Sequence, residues 1–218
     1  MIYLKRAKPF FIIYKIIRWI LNPFLRIIYG VRIINKNKSR TSGGLILCSN
    51  HVGGLDPVMM CVYFPRPLYF MAKKELFRNF LLGKAISYFN AFPVNRDGVD
   101  KTAIINAAKV VKSGNVLGIF PEGTRSATGE IARQGRRGVG LIAFLGNSPV
   151  LPMAIYNSNK VSREKTKKRL LSKIKIIFGD IIYTEEIIKN FNKKEAIDII
   201  SEISMQRVKE LYLQVSKV

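Results

Sequence analysis

His51 is the only imidazole in the chain, and it lies in Cys48-Ser-Asn-His-Val-Gly-Gly-Leu-Asp56-Pro57. An apolar run, Leu45–Ser49, precedes it and a helix-start signal, Asp56-Pro57, follows it. Both groups therefore fall in a loop at a strand end, where α/β proteins carry reactive side chains. On one continuous helix, residues five apart point about 140° away from each other. Gly53-Gly54 supplies two residues free to take positive φ, so the chain can turn back and bring the carboxylate to an imidazole nitrogen. A carboxylate so placed fixes the tautomer and leaves the other nitrogen as a base. The bland alternative is an isolated structural histidine beside an aspartate that caps a helix.

A second cluster, Phe120-Pro-Glu-Gly-Thr-Arg-Ser126, ends another apolar run, Val116–Phe120. Around Gly123, the side chains of Thr124 and Arg125 and the local backbone N–H groups could converge on an anion, with Glu122 beside them. Arginine suits phosphate because its planar fork donates two parallel hydrogen bonds. The alternative here is an ordinary turn with a surface ion pair. Other chemistries find no residues. One histidine and two cysteines, Cys48 and Cys61, with no Cys-x-x-Cys, give neither a zinc-type ligand set nor a disulfide framework. No Gly-x-Ser-x-Gly nucleophile turn occurs.

The elements that must hold these clusters alternate. Candidate strands are Leu45–Ser49, Leu68–Met71, Ala91–Val94, Val116–Phe120, Pro149–Ile155 and Ile174–Phe178. Helical patterns lie between them at Pro57–Phe64, Leu76–Tyr88, Lys101–Val111 and Val139–Leu145, and a last helix starts near Lys193 behind an Asn192/Glu195 capping box. Ser113-Gly114 reads as a helix stop, and Tyr156–Lys168 as a polar surface excursion. Strands alternating with helices predict an α/β domain. A length of 218 residues without a Ser- or Pro-rich linker predicts one such domain.

Charge separates the first part of the chain from the rest. The net charge is +23, and ten basic residues precede position 41, while no acid occurs before Asp56. Such a balance favours polyanions: nucleic acid, an anionic membrane face or phosphorylated substrates. The N-terminal stretch is also the most apolar, but Lys15, Arg18 and Arg26 interrupt it, so no spanning helix is predicted. A cleavable signal peptide fits equally poorly. On a helix Lys15, Arg18, Asn22 and Arg26 form one narrow polar stripe, opposite a wide apolar face that includes Trp19. Pro23 is expected to divide this into two short helices. The pattern predicts residues 1–38 as amphipathic helices lying in the membrane plane, and 39–218 as the α/β domain. A core helix with a solvated stripe is the competing reading.

Four blocks in order give the chain a resemblance to the glycerolipid acyltransferases, and among them to bacterial 1-acyl-glycerol-3-phosphate acyltransferases. They are Asn50-His51-Val-Gly-Gly-Leu-Asp56-Pro57, Ala91-Phe-Pro-Val-Asn-Arg96, Phe120-Pro-Glu-Gly-Thr-Arg-Ser126 and Pro149-Val-Leu-Pro-Met-Ala154. Met71-Ala-Lys73-Lys-Glu-Leu76 matches a further segment. The likeness covers roughly residues 40–160, with Asn90 standing where a glycine is usual. It implies a single acyltransferase domain with a central mixed sheet flanked by helices, His51 as base and Asp56 as its orienter. It also implies Lys73, Arg96, Glu122, Gly123, Thr124 and Arg125 at the acceptor site. No cofactor is implied. The expected donor is a thioester of acyl carrier protein or CoA, the acceptor lysophosphatidic acid, and the location the cytoplasmic face of the membrane against anionic lipid. Another lysolipid, such as lyso-ornithine lipid, or glycerol-3-phosphate is an alternative acceptor. A basic nucleic-acid-binding module is the alternative from another class; no motif for it is present.

Overall fold

The computed structural model describes residues 8–95, 98–126, 131, 135–163 and 173–217. Among these residues seven strands form one sheet: β1 (Arg32–Ile34), β2 (Leu45–Ser49), β3 (Leu68–Lys73), β4 (Ala91–Val94), β5 (Val116–Ile119), β6 (Val150–Tyr156) and β7 (Lys175–Phe178). Their order is β1-β7-β6-β2-β5-β3-β4, and every neighbouring pair is parallel except β6 with β7. The sheet is therefore mixed, as expected. β2 is buried along its whole length. Its alternate residues feed two cores, Leu45 and Leu47 on one face and Ile46 and Cys48 on the other.

The Leu45 face is covered by α1 (Lys8–Tyr29) and α2 (Asp56–Tyr63), the Ile46 face by α4 (Lys101–Lys112), α5 (Gly138–Gly146) and α8 (Lys193–Ser216). The predicted start of α8 and stop of α4 are observed. Asn192 Oδ1 accepts the amides of Lys194 and Glu195 at 3.0 and 3.1 Å. Ser113 closes α4, and Gly114 follows it at φ 76°. Asn90 takes φ 63° ahead of β4, a left-handed conformation that asparagine tolerates better than most residues. Among the described residues β1, α6 (Ser158–Arg163) and α7 (Glu185–Asn190) go beyond the sequence reading, each six residues or fewer. α6 occupies the start of the stretch read as a polar excursion. β1 belongs to the sheet although it lies within residues 1–38.

The N-terminus departs further. Instead of two helices broken at Pro23 there is one, α1, running through it. Pro23 lies on the exposed side, so the hydrogen bond it cannot make is lost where the helix packs against nothing. The expected polar stripe is split: Lys15 and Arg26 are exposed, whereas Arg18 and Asn22 are half-buried. Arg18 donates from Nε to the Val62 carbonyl and from Nη1 to that of Pro65, at 3.0 and 2.9 Å, satisfying carbonyls at the end of α2. Phe10, Tyr14 and Leu25 are buried on the same side, and the Tyr14 hydroxyl donates to the Cys61 carbonyl at 2.9 Å. The apolar face points outward, with Trp19 78% and Ile27 75% exposed. No helix among the described residues is long and apolar enough to cross a membrane.

Candidate active site

β2 and β5 are parallel neighbours, so the two sequence clusters leave the sheet at the same edge. His51 Nδ1 lies 2.9 Å from Asp56 Oδ2, and the same oxygen accepts the Val52 and Gly53 amides at 2.8 Å each. Asp56 is completely buried. Three donors on one carboxylate oxygen put the proton on Nδ1 and leave Nε2 with its lone pair, the arrangement of a general base.

The turn achieves this differently from expectation. Gly53 is not in the left-handed region; it is needed because a Cβ there would stand 2.5 Å from the Ser158 carbonyl oxygen. Asp56 is also not the N-cap. Leu55 holds that position, and Asp56, at the first helical residue, turns its carboxylate back onto the loop. There its charge still complements the positive end of α2.

The second cluster grips the first. Glu122, buried, accepts the His51 amide at 2.8 Å, and the Ser126 amide donates to the His51 carbonyl at 2.9 Å. The imidazole lies flat on Phe120, centroids 4.1 Å apart at 18°, and Phe70 continues the stack at 6.3 Å. On the far side Asn50 pairs with the Ile155 backbone in both directions, at 2.8 and 2.9 Å, extending the β2–β6 pairing beyond the strand. Backbone, ring plane and ring nitrogen of His51 are thus each fixed by a different neighbour.

His51 opens onto a cleft of about 300 Å³ whose apolar walls include Met71, Val94, Ile104, Ile119, Leu141 and Ile142. Gly123, at φ +73°, lines it, and so do Arg136 and Arg137 at the start of α5. Arg136 lies across Gly123, where a Cβ would come 2.7 Å from its Nε. Arg137 is tied at 2.5 Å to Asp198 of α8. Sequence reading missed both arginines. A signal was present, since cations are unfavourable at a helix N-terminus and need another reason to be there. Lys73, at the end of β3, is exposed and 3.7 Å from Glu75. Thr124 and Arg125 are exposed just beyond the turn and are not part of the cleft wall. Arg96 lies outside the described residues.

Neither cysteine offers a nucleophile. Burial pushes the Cys61 thiol up to about 12, and burial together with the Glu122 carboxylate pushes Cys48 higher still. The His51–Asp56 geometry equips proton removal from a hydroxyl beside an apolar cleft with a cationic rim.

Residues 30–156, more than half of the chain and including all four blocks, match the family model described as Acyltransferase. The chain belongs to the acyltransferase family. It is 32% identical over 183 residues to the 1-acyl-sn-glycerol-3-phosphate acyltransferase of Bacillus subtilis, across 84% of this chain and 88% of that protein. It is 30% identical over 135 residues to the enzyme of the same name from Borreliella burgdorferi, across 60% of this chain and 53% of that one. Its fold matches the crystal structure of the 1-acyl-sn-glycerophosphate acyltransferase of Thermotoga maritima with a TM-score of 0.72 at 22% identity, covering 95% and 84% of the two chains.

Proposed function

We propose that this acyltransferase moves a fatty acyl group from a thioester to the 2-hydroxyl of 1-acyl-sn-glycerol-3-phosphate, giving phosphatidic acid. The observation that carries the reading is the His51–Asp56 pair at the mouth of an apolar cleft. Nε2 takes the hydroxyl proton as the oxygen attacks the thioester carbonyl carbon. The C–S bond then breaks, and the thiolate recovers the proton from the imidazolium. The transfer passes directly between bound substrates and calls for no cofactor. Lys73, Arg96, Thr124 and Arg125, with the Gly123 backbone, hold the acceptor phosphate, and Arg136 adds a guanidinium on the cleft side. Glu122 keeps His51 in register from behind.

The donor is acyl carrier protein or CoA thioester, both anionic and both drawn to a chain of net charge +23. The outward apolar face of α1, rimmed by Lys15 and Arg26, seats the protein peripherally on the cytoplasmic face of the membrane. Nucleic acid is not a partner in this reading. The test is transfer of labelled acyl from each thioester to lysophosphatidic acid, lyso-ornithine lipid and glycerol-3-phosphate. Preference for lysophosphatidic acid, lost in His51→Ala, is the expected result. Preference for another acceptor overturns the substrate, and transfer unchanged in His51→Ala overturns the mechanism.

A further inference from the structure

α3 (Phe80–Tyr88) is built almost entirely from residues that face away from the protein. Phe80 is 67% exposed, Leu81 78% and Leu82 44%, and Gly83 is the one buried position. Three consecutive large apolar side chains left this exposed at the start of a helix mark a surface suited to an external apolar partner. The element is nevertheless firmly built. Asn79 Oδ1 caps it on the Leu82 amide at 3.0 Å, and Gly83 packs so closely on the preceding turn that a Cβ would lie 2.9 Å from the Phe77 carbonyl oxygen.

Position and charge identify the partner. The chain reaches α3 from the end of β3 that carries Lys73, the sheet edge at which β2 and β5 deliver His51 and Glu122. At its other end Tyr88 meets the buried Phe10 of α1 edge-on, centroids 5.6 Å apart, so the end of α3 packs against the start of α1. No acid occurs between Glu75 and Asp97, while Arg78 and Lys84 flank the apolar tip, and Lys84 Nζ sits 4.0 Å above the Phe80 ring. We infer that Phe80-Leu81-Leu82 is a second membrane-inserting element, which dips into an anionic bilayer beside α1 and sets the Lys73 edge of the site against the lipid headgroups. A rigid apolar tip with a cationic collar suits the headgroup–acyl boundary.

The inference rests on the membrane reading of α1, and one residue lets the two be tested apart. Trp19 is the only tryptophan, so native fluorescence on brominated phosphatidylglycerol vesicles reports α1 alone. Trp19→Phe combined with Leu81→Trp moves the probe to α3. Transfer to a water-soluble short-chain lysophosphatidate by that double variant shows that it is folded and tests the activity separately. Quenching at both positions is expected, and Phe80→Ser with Leu81→Ser should weaken partition to these vesicles ~10-fold or more. Quenching of Trp19 without quenching at position 81 overturns the role of α3 and leaves α1 standing; quenching at neither overturns both. Dimerisation abolished by the serine pair, with vesicle binding unchanged, would assign the patch to a second copy and overturn the lipid assignment.

Discussion

α1 and α8 are nearly the same length, 22 and 24 residues, and are built the opposite way round. α8 buries Ala196, Ile200, Met205, Val208 and Val215 and shows Glu202, Gln206, Arg207 and Glu210 to water. α1 turns Tyr14, Arg18 and Asn22 inward and shows Phe11, Ile16, Trp19, Phe24 and Ile27. The difference teaches which neighbour each helix was fitted to. α8 lies against α5 and the sheet, and its hydrophobic surface is spent inside the molecule. α1 leaves its most apolar face outside the molecule and uses its mixed face to pack on α2. The same division runs through the candidate site, where His51, Asp56 and Glu122 are fixed from within while Lys73, Thr124 and Arg125 stand on the exposed side.

The largest effect should come from the inward group. His51→Ala should lower acyl transfer by at least ~10²-fold with little change in Tm. Asp56→Asn should also be severe, because the amide no longer selects the Nδ1–H tautomer. Initial rates with saturating thioester and lysophosphatidic acid measure both. Near-normal turnover in either variant would mean that the buried pair is structural and that the division has been misread.

Next comes the seam that makes α8 an inward helix. Gly140 of α5 donates its amide to Ser201 Oγ of α8 at 3.1 Å, and a Cβ at Gly140 would run into the Ile197 carbonyl and that hydroxyl. Gly140→Ala should destabilise by about 2–3 kcal/mol, lowering Tm by roughly 5–10 °C. Trp19→Gln on α1 should leave Tm in buffer unchanged and weaken vesicle binding. Thermal unfolding beside vesicle co-sedimentation reads both, and a Tm loss in Trp19→Gln would show that the outward face of α1 packs within the protein.

Legibility in the sequence follows the same line. Strand positions and the His51–Asp56 pair were readable, because β2, β5 and β6 are short apolar runs ended by turn chemistry and the pair is local in sequence. Periodicity showed that α1 has two faces but not which one meets the protein. That depended on the end of α2 presenting the Val62 and Pro65 carbonyls to Arg18, a contact across more than forty residues. Pro23 was given too much weight, since a proline on an unpacked side removes one bond without dividing the helix. Gly53 was rightly singled out for the wrong reason, because its need for space comes from Ser158 in a helix too short to foresee. Arg136 and Arg137 escaped because only the fold carries the start of α5 to the cleft.

A smaller effect belongs to the exposed cations of the site. Arg125→Ala, Lys73→Ala and Arg136→Ala should each raise the acceptor KM roughly 10- to 100-fold, as a charge-assisted hydrogen bond of about 1.5–3 kcal/mol is lost. The thioester KM should move much less. A rise confined to the thioester would put that residue on the donor side of the cleft.

The smallest effect separates the basic residues of α1 from one another. By sequence Lys15, Arg18 and Arg26 are equivalent, but Arg18 bonds to the Val62 and Pro65 carbonyls and Arg26 to the Tyr63 side chain, while Lys15 is exposed. Arg18→Gln should therefore lower Tm, with about 1–2 kcal/mol of hydrogen bonding gone, and should barely change the salt dependence of vesicle binding. Lys15→Gln should leave Tm alone, Arg26→Gln should lower it less than Arg18→Gln as the Tyr63 contact is lost, and both should weaken binding to anionic vesicles by about 1 kcal/mol at low salt. That loss should fade as salt shortens the Debye length toward ~3 Å at 1 M, while the binding supplied by Trp19, Phe24 and Ile27 persists. Co-sedimentation of the three variants across a salt series, with unfolding curves alongside, measures the split. If Arg18→Gln behaved like Lys15→Gln, the stripe would face the lipid and α1 would be the ordinary way out.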